Sequence, residues 1–441
     1  MLDIRLIREN TDAVKQGLAR RNFDAGVIDE VLKLDEKYRE QRTRLEQKQA
    51  ALNAASKAVG NWMGKLKKDP AAPVPKEITE ALGNTPKGPD EAREGLRLFG
   101  DQISNIDRMI GEIGVEIDNR LRMVPNLPSP HTPVGKDESG NVVRKTWGEA
   151  PKPGFAPKAH WDLGKHYGLE LEVGGRISGS GFPFFRGPLA RLERALVNLY
   201  LDFHTRENGY TECWTPFMVR RETLVNSGQL PKFEEEMYQL GKGDELYLIP
   251  TAEVPLTSVH ADSVLDREQL PIRYCAFTPC FRREAGAAGK DTRGILRVHQ
   301  FSKVELMVTT TPERSEEEHE TLTRCAERVL ELLELPYRRL ELCTGDLGFG
   351  AQRCYDLEVF AIGVGKWLEV SSCSNFGDYQ ARRAKIRFKD SDKQNKLCHT
   401  LNGSGLALPR VMIALLENYQ DAEGRVRLPK ALHAYYGKEV L

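Results

Sequence analysis

Two heptad repeats separated by a proline-rich break constrain the first third of this 441-residue chain. Residues 31–59 carry apolar side chains at seven-residue spacing, with weaker polar positions at Gln41 and Lys48. Residues 96–124 carry a second, more regular repeat. Side chains at the a and d positions of a heptad lie along one face of a helix, and that face is buried against a second helix. The pattern therefore predicts a pair of long helices.

The break at residues 69–90 contains five prolines and two glycines, which the interior of a helix does not tolerate. We therefore expect an antiparallel two-helix coiled-coil arm closed by an elaborated tip. Helices of about 30 residues rise roughly 45 Å, so such an arm would extend well beyond a globular body. A basic tip suits a phosphate-bearing partner, while a dimerising coiled coil and a solvated tip are the alternatives. The basic residues of the tip are Lys65, Lys67, Lys68, Lys76 and Lys87.

The chain carries 64 basic and 64 acidic residues, so its formal net charge is zero. Bulk charge therefore does not indicate a nucleic-acid partner, which would have to bind a local patch. The first residues are charged and contain no long apolar run, so we expect neither a signal peptide nor a membrane span. All eight cysteines lie at or after Cys213 and form no C-x-x-C pair. This favours reduced, mostly buried thiols in a cytoplasmic protein over a structural zinc site.

Beyond residue 123 the pattern changes from heptads to short strands. Residues 124–162 are rich in proline, glycine and charge, which predicts a linker between an arm domain at 1–123 and a second domain at 163–441. Strands that pair with near neighbours indicate an α+β domain, in which helices flank an antiparallel sheet. The predicted elements are helices at 189–203, 312–333 and 406–419 and strands at 210–219, 245–249, 274–281, 296–306, 338–342, 355–360 and 367–372.

Within this domain, residues 274–305 form two strand-like segments around a polar, glycine-rich run. They predict an antiparallel hairpin with a long loop. The run GAAGKDT at 286–292 is not a phosphate loop, because Glu284 occupies the place of the first glycine and Asp291 that of the magnesium-binding Ser or Thr. Arginine offers a planar fork suited to phosphate and carboxylate. The arginines at the strand ends and in the loop are Arg282, Arg283, Arg293 and Arg297.

Acidic, hydroxyl and arginine side chains recur in short segments along the same domain. Singly each is a weak signal, because a mid-strand Glu usually forms an ion pair and an Arg early in a helix is usually solvated. The segments are 251–253 after Pro250, where we expect a helix to start, Arg282 with Glu284, 299–301 with Glu305, 369–372 at the end of a strand, and 402–410 at the start of the last helix.

Together, and in this order, these segments resemble the class II seryl-tRNA synthetases. Pro216 matches the proline of the family's first motif, which lies in a helix–strand unit at the dimer interface. Residues 281–301 match the second motif, and GSGLALPR at 403–410 matches the third. The heptad arm is similar to the family's tRNA-binding arm, so the resemblance covers nearly the whole chain. The segments TAE, FSKVE and EVSS resemble a serine-type pocket, and the HIGH and KMSKS signatures of class I are absent.

The resemblance implies a serine–tRNA ligase. Such an enzyme activates L-serine with ATP to seryl-adenylate and pyrophosphate, and then transfers serine to the 3′ end of tRNA(Ser), and of tRNA(Sec) where present. It implies Arg282 and Arg410 as catalytic residues, a Mg²⁺ ion held by Glu369 and Ser372, and a homodimer formed around Pro216. The implied serine site is Thr251, Ala252, Glu253, Arg282, Glu305 and Ser404. The implied ATP site is Arg282, Arg283, Glu284, Val298, Phe301, Glu369, Val370, Ser371, Ser372 and Arg410.

Each implied role suits the chemistry, because attack of a carboxylate on a phosphate needs alignment and charge neutralisation. Arg282 would hold the α-phosphate and the serine carboxylate, while Phe301 and Arg410 would enclose adenine. The loop 285–297, including Lys290, would contact the tRNA acceptor stem. The family commonly has Arg where Gly181 stands, and the proline-rich tip is longer than usual.

Two other functions fit part of this pattern. A synthetase-like enzyme could deliver the activated amino acid to a carrier protein, but the full-length arm favours a large, distant acceptor. A nonenzymatic coiled-coil homologue could bind RNA, but it would not need an intact set of Arg282, Glu284, Glu369, Ser372 and Arg410.

Overall fold

The computed structural model describes residues 1–285 and 293–441. This part of the chain forms two compact units, and the first residues contribute to both. The helical unit consists of Asp3–Lys15 and Asp24–Val124, and the sheet unit consists of Met1–Leu2, Gln16–Phe23 and Pro125–Leu441.

Two long antiparallel helices build the helical unit. Arg120 Nε lies 3.1 Å from Glu30 Oε2, which pairs the start of one long helix with the end of the other. The predicted two-helix arm is therefore confirmed. The helices are α1 (Ile4–Glu9), α2 (Thr11–Ala19), α3 (Gly26–Leu66), α4 (Lys76–Leu82) and α5 (Pro89–Arg122).

A narrow apolar seam holds α3 against α5. Leu45 of α3 packs in one buried cluster with Ile103, Ile106 and Ile110 of α5, all at heptad positions. Outside the seam both helices are largely polar and exposed. Within the described ranges, no helix is both long enough and apolar enough to span a membrane.

The two polar heptad positions of α3 differ in how the fold accommodates them. Lys48 donates from Nζ to Gln102 Oε1 at 3.1 Å, and its ammonium lies 4.3 Å from the centre of the Phe99 ring. Gln41 Oε1 is buried and, among the described residues, has no hydrogen-bond partner. Lys48 is thus stabilised at the edge of the seam, whereas Gln41 weakens it.

The proline-rich break contains a short helix, α4, that closes the tip. Ile78 of α4 is fully buried beside Trp62 of α3 and Ala92 of α5. The Trp62 indole N–H donates to the Ala72 carbonyl at 3.0 Å, which holds the returning chain against α3. Pro89 lies in the first turn of α5, where its missing N–H costs no intrahelical bond.

The sheet unit contains nine helices and thirteen strands among its described residues. Its helices are α6 (His160–Tyr167), α7 (Leu171–Ser178), α8 (Pro188–Glu207), α9 (Arg221–Ser227), α10 (Glu253–Ser258), α11 (Ser315–Leu332), α12 (Tyr379–Ala384), α13 (Leu408–Asn418) and α14 (Lys430–Tyr436). Its strands are β1 (Val142–Trp147), β2 (Thr211–Glu212), β3 (Met218–Arg220), β4 (Leu246–Leu248), β5 (Val264–Asp266), β6 (Ile272–Phe281), β7 (Gln300–Thr310), β8 (Tyr337–Glu341), β9 (Arg353–Ala361), β10 (Lys366–Gly377), β11 (Arg387–Lys389), β12 (Asn395–Leu397) and β13 (His399–Ala407).

An eight-stranded sheet in the order β1–β8–β9–β10–β13–β7–β6–β2 organises this unit. Its neighbouring strands are antiparallel except for the short edge pair β2–β6. The strands β12–β11–β5 and β3–β4 form two smaller sheets. The predicted fold class, an antiparallel sheet flanked by helices, is confirmed.

One face of the sheet builds the main core. Val304, Leu306 and Val308 of β7 lie in a single buried cluster with the apolar sides of α8, α11 and α13. Alternate residues of a strand point to opposite faces. Lys303 and Glu305 of β7 therefore face the other side of the sheet, where the candidate site lies.

Several local predictions were wrong. The segment 369–372 does not end a strand, because β10 continues to Gly377. The residues before Leu408 belong to strand β13 and not to the last helix. Residues 373–377 of β10 and 400–406 of β13 are buried on both faces, so they lack the alternation that marks a half-buried strand. The predicted strand 210–219 is divided into β2 and β3, and Pro216 lies exposed between them.

Short helices beyond the three predicted after residue 163 were also missed. They are α6, α7, α9, α12 and α14, each of six to eight residues. A helix of about two turns shows too little of its 3.6-residue period for the pattern to stand out. The sequence had suggested a helix start after Pro250, and α10 does begin at Glu253.

Replacing Gln41 by Leu should stabilise the helical unit, because it removes a buried acceptor and extends the apolar seam. We expect an increase of about 1 kcal/mol in local opening free energy, or roughly fivefold slower amide exchange in α3 and α5. Hydrogen-exchange mass spectrometry of the full chain measures this. The exposed neighbour substitution Gln47→Leu is the matched control. Equal or faster exchange in Gln41→Leu would contradict the assignment.

Candidate active site

A cavity of about 350 Å³, here called the main cavity, lies against strands β7, β10 and β13. It collects side chains from segments far apart in the sequence, since Thr251, Arg282, Glu369 and Arg410 all line it. Twelve of the residues predicted from the sequence meet there. They are Thr251, Glu253, Arg282, Glu284, Val298, Phe301, Glu305, Glu369, Val370, Ser372, Ser404 and Arg410.

Three predicted residues lie outside the lining of the main cavity. Ala252 is fully buried in an apolar cluster that includes Met307. The Ser371 hydroxyl donates to the Ser404 carbonyl at 2.7 Å and so joins β10 to β13. Arg283 contributes its backbone N–H to the Glu236 carbonyl at 3.0 Å.

A β-bulge in β10 places Glu369 and Ser372 on the same face. Residues three apart in a regular strand point to opposite faces. In β10 the pairing with β9 shifts between Glu369 and Ser371, which inserts one extra residue. The carboxylate and the hydroxyl therefore both line the main cavity. Two hard oxygen donors on one face fit a magnesium ion, which commonly takes one or two protein ligands and completes its shell with water and substrate phosphates.

One end of the main cavity is a buried polar cluster. The Thr251 hydroxyl donates to Glu305 Oε2 at 2.7 Å, and Lys303 donates to Thr251 Oγ1 at 2.9 Å. Lys303 also forms an ion pair with Glu305, which is 1% exposed. A buried carboxylate is tolerated because these partners satisfy it. Lys303 was not predicted from the sequence, although it lies two positions before Glu305 and therefore shares its face of β7.

Glu253 is the second acid of this polar end. Its Oε1 accepts a hydrogen bond from Gln380 Nε2 at 2.6 Å. Burial, and then the charge of Glu305, raise the pKa of Glu253 from its ordinary 4.5 to about 7. Two acids beside one lysine leave this end able to accept a further positive charge. Gln380 was not predicted either, because it approaches from α12, more than 120 residues away in the chain.

The other end of the main cavity combines cations with an aromatic ring. The Arg282 guanidinium lies 5.1 Å from the centre of the Phe301 ring, and its Nε donates to the Pro250 carbonyl at 3.3 Å. Arg410 donates from Nη1 to the Glu369 carbonyl at 2.8 Å. Apolar side chains line the walls around them, including Leu296 and Val298. A flat aromatic group with an attached polyanion matches this arrangement.

Asp356 of β9 lies beside the Glu369–Ser372 pair. It was not among the site residues predicted from the sequence. It stands opposite Ser372 in the β9–β10 register, and the Cys354 thiol lies 3.6 Å from its Oδ1. Burial, and then the Glu369 carboxylate, raise the pKa of Asp356 well above its ordinary value. Only the register of the β9–β10 pair, which includes the bulge, shows that Asp356 stands opposite Ser372.

The hairpin loop is only partly described. Glu284 adopts a left-handed backbone conformation, with φ of 50°. It forms an ion pair with Arg297, in which Nη1 of Arg297 lies 3.1 Å from Oε2 of Glu284. Such a conformation in a residue other than glycine is uncommon and occurs at binding sites. The predicted RNA-contacting loop 285–297 includes residues 286–292, with Lys290, which lie outside the described residues.

Gly181, where the resemblance led us to expect arginine, packs against the start of the return strand. Its φ is 83°, and a β-carbon there would lie 2.6 Å from His299 Cδ2. Its carbonyl accepts the His299 N–H at 2.9 Å. The backbone angle and the close approach to His299 both favour glycine here, and an arginine would require the His299 ring to shift.

Family models match two parts of the chain. Residues 1–128 match the model described as the seryl-tRNA synthetase N-terminal domain. Residues 233–419 match the tRNA synthetase class II core domain (G, H, P, S and T). The first match covers the helical unit, and the second covers nearly all of the residues that line the main cavity.

Known proteins match the whole chain. The serine–tRNA ligase of Pseudothermotoga lettingae is 47% identical over 442 residues, which cover 100% of both chains. The structure of seryl-tRNA synthetase from Pyrococcus horikoshii complexed with ATP aligns with a TM-score of 0.89 and 37% identity, over 100% of this chain and 99% of that one. The cytoplasmic serine–tRNA ligase of Naegleria fowleri in complex with AMP aligns with a TM-score of 0.86 and 32% identity, over 100% and 98%. The chain therefore belongs to the seryl-tRNA synthetase family, within the class II aminoacyl-tRNA synthetases.

Proposed function

We propose that this chain is a serine–tRNA ligase. It activates L-serine with ATP to seryl-adenylate and pyrophosphate, and then transfers serine to the 3′ end of tRNA(Ser), and of tRNA(Sec) where present. One observation carries the proposal: the main cavity joins a buried two-acid cluster to an arginine–aromatic slot, with Arg282 between them. Full-length relatives that are themselves serine–tRNA ligases support it.

ATP would occupy the arginine–aromatic end. Phe301 offers a ring face on which adenine can stack, and Arg410 is placed to lie over the base and near the distal phosphates. The P. horikoshii and N. fowleri proteins, which were solved with ATP and AMP, support a nucleotide at this end. Adenine that stacks on the face of Phe301 now covered by Arg282 would displace the guanidinium, which could then turn to the α-phosphate.

Serine would occupy the acidic end. Its ammonium group is complementary to Glu253 and Glu305, and its hydroxyl lies within a set of polar partners that includes Thr251 and Ser404. Alanine would leave such buried polar groups without a partner, which favours serine. Glycine and larger amino acids are disfavoured by lost contacts and by the limited space.

In the first step the serine carboxylate oxygen bonds to the α-phosphorus, and the bond to the pyrophosphate oxygen breaks. Arg282 orients the two reacting groups and neutralises charge that develops between them. Glu369 and Ser372 would hold a Mg²⁺ ion, which neutralises phosphate charge and favours departure of pyrophosphate. In the second step the 3′-hydroxyl oxygen of the terminal ribose bonds to the seryl carbonyl carbon, AMP leaves and a proton is released.

The helical unit would bind tRNA, and the enzyme would act as a cytoplasmic homodimer. The exposed lysines at the tip of the arm support an RNA partner. Trp214 and Met218, on either side of Pro216, are 84% and 52% exposed, which is unusual for large apolar side chains and supports a subunit interface there.

Arg282→Ala and Arg410→Ala should each lower serine-dependent ATP–pyrophosphate exchange by about 10²- to 10³-fold in kcat, because each removes charge stabilisation of the transition state. The exchange assay measures this at saturating ATP. Arg206→Ala, which truncates an exposed arginine on α8, is the control and should retain native exchange. Native exchange rates in either site variant would refute its catalytic role.

The apparent KM for serine should fall as the pH rises, because the ammonium group favours ionised Glu253. With a pKa of about 7, the fall is roughly fivefold between pH 6 and pH 7 and levels off above pH 7.5. Glu253→Gln should abolish this dependence of KM on pH, whereas Glu439→Gln, at an exposed position, should preserve it.

The raised pKa of Glu253 also affects folding. Between pH 4.5 and 7 the folded chain binds more protons at Glu253 than the unfolded chain does. The contribution of Glu253 to the free energy of unfolding therefore falls as the pH rises through that range.

Removal of the arm should separate the two steps. Glu30 and Arg120 are in contact, so a short Gly/Ser linker can replace residues 31–121. We expect serine-dependent ATP–pyrophosphate exchange within about threefold of the native rate. We expect kcat/KM for tRNA charging to fall by at least about 100-fold, because the shortened chain lacks the arm's contacts with tRNA phosphates. Native charging by the shortened chain would show that the arm has no role in tRNA binding.

A further inference from the structure

The two acids at the polar end of the main cavity differ in how the protein holds them. Glu305 accepts the Thr251 hydroxyl at 2.7 Å and forms an ion pair with Lys303. The carboxyl group of Glu253, by contrast, has a single hydrogen-bond partner among the described residues, the Gln380 amide at 2.6 Å. Glu253 is only 6% exposed, so bulk water does little to hold it. The position of its carboxyl group therefore depends on Gln380.

The Gln380 side chain is fully buried, and its partners fix the orientation of the amide. Nε2 donates to Glu253 Oε1 and also to the Ser227 carbonyl at 2.9 Å. Oε1 accepts the hydroxyl of Thr400, on strand β13, at 2.7 Å. An inverted amide would place its oxygen against a carboxylate and a carbonyl, neither of which can donate a hydrogen bond. The N–H groups of Gln380 therefore point to Glu253 and Ser227.

Helix α12, which carries Gln380, is fastened independently to the chain at the end of α9. Arg383 lies three residues after Gln380 and so shares its side of the helix. Arg383 donates from Nη1 to the Leu230 carbonyl at 3.0 Å and from Nη2 to the Tyr379 hydroxyl at 2.9 Å. These two contacts hold α12 in place and do not involve Glu253. Arg383 thus provides a control for the purely structural role of this helix.

We propose that Gln380 is a positioning residue for serine binding, whose amide holds the Glu253 carboxyl group in the orientation that receives the serine ammonium group. Gln380 lies behind Glu253 and is not among the residues that line the main cavity, so it acts through Glu253 and not on serine itself. Thr400 acts one step further away, because its hydroxyl orients the amide. The proposal rests on the proposed function, because it takes serine as the ligand of the polar end.

The same hydrogen bond affects the ionisation of Glu253. Burial, and then Glu305, raise the pKa of Glu253, whereas Lys303, the Gln380 hydrogen bond and Arg282 lower it. Loss of the Gln380 donor should therefore raise this pKa above its present value of about 7. A larger fraction of the enzyme would then hold Glu253 neutral at pH 7, and a neutral carboxyl group attracts an ammonium group less.

Gln380→Met tests the proposal, because it keeps the length of the side chain and removes the amide. We expect the fall of KM for serine with pH to move upward by roughly one pH unit, which raises KM at pH 7 at least about fivefold. In the ATP–pyrophosphate exchange assay, kcat and the KM for ATP should stay within about threefold of native, because the lost interaction concerns serine binding. Thr400→Val should shift the profile in the same direction by a smaller amount.

Arg383→Met is the matched control, since it removes a contact of α12 that does not involve Glu253. It should preserve the pH profile of KM for serine, even where it lowers the melting temperature. If Gln380→Met fails to fold, the shift in Thr400→Val decides the question. A native pH profile in the folded Gln380→Met variant, or in Thr400→Val where Gln380→Met does not fold, would overturn the proposal.

A double variant separates positioning from a general loosening of the site. If Gln380 acts through Glu253, then adding Gln380→Met to Glu253→Gln should change KM for serine by less than about twofold. A structural defect would instead raise KM by the same factor in both backgrounds, and that result would also overturn the proposal. The absence of serine-dependent exchange in the native chain would refute the proposed function itself.

Discussion

The alternation of side chains along β7 is the constraint on which the rest of the sheet unit depends. Val304, Leu306 and Val308 join the main core, while Lys303 and Glu305 turn to the opposite face. A shift of one residue in the pairing with β6 or β13 would bury the charges among leucines and expose the core. The strong apolar face therefore secures the position of the polar one, and the core stabilises the geometry of the site.

Burial of the charges on that opposite face is costly. Polar side chains from several other elements offset this cost by hydrogen bonding to the buried carboxylates. Thr251 arrives from the start of α10, Gln380 from α12 and Asn402 from the neighbouring strand β13, where Asn402 Nδ2 lies 3.4 Å from Glu305 Oε1. The two carboxyl groups of Glu253 and Glu305 share a single lysine, Lys303, so one negative charge is not neutralised when both are ionised. The raised pKa of Glu253 reflects its burial and this excess of negative charge. A serine ammonium group would neutralise that charge. Ionisation of Glu253 therefore affects both the binding of serine and the stability of the folded chain.

Local regularity decided which elements could be predicted. The heptads of α3 and α5 extend over many turns, so the arm was correctly predicted, and the long strands β6, β9 and β10 were recognised in part. The prediction of a helix start within GSGLA is wrong, because this part of β13 is buried on both faces and shows no alternation. Five helices of the sheet unit, α6, α7, α9, α12 and α14, were missed because about two turns show too little of the helical period.

The sequence by itself determined the two-helix arm, the α+β class and, through its resemblance, the family and most of the polar residues of the main cavity. Only the tertiary structure decided how those residues meet. The bulge in β10 turns Glu369 and Ser372 to one face, and the β9–β10 register places Asp356 opposite Ser372. The hydrogen bond from Gln380 to Glu253 joins residues 127 positions apart in the sequence. Periodicity reports which face of an element is buried, whereas register, bulges and long-range hydrogen bonds arise only when the elements pack together.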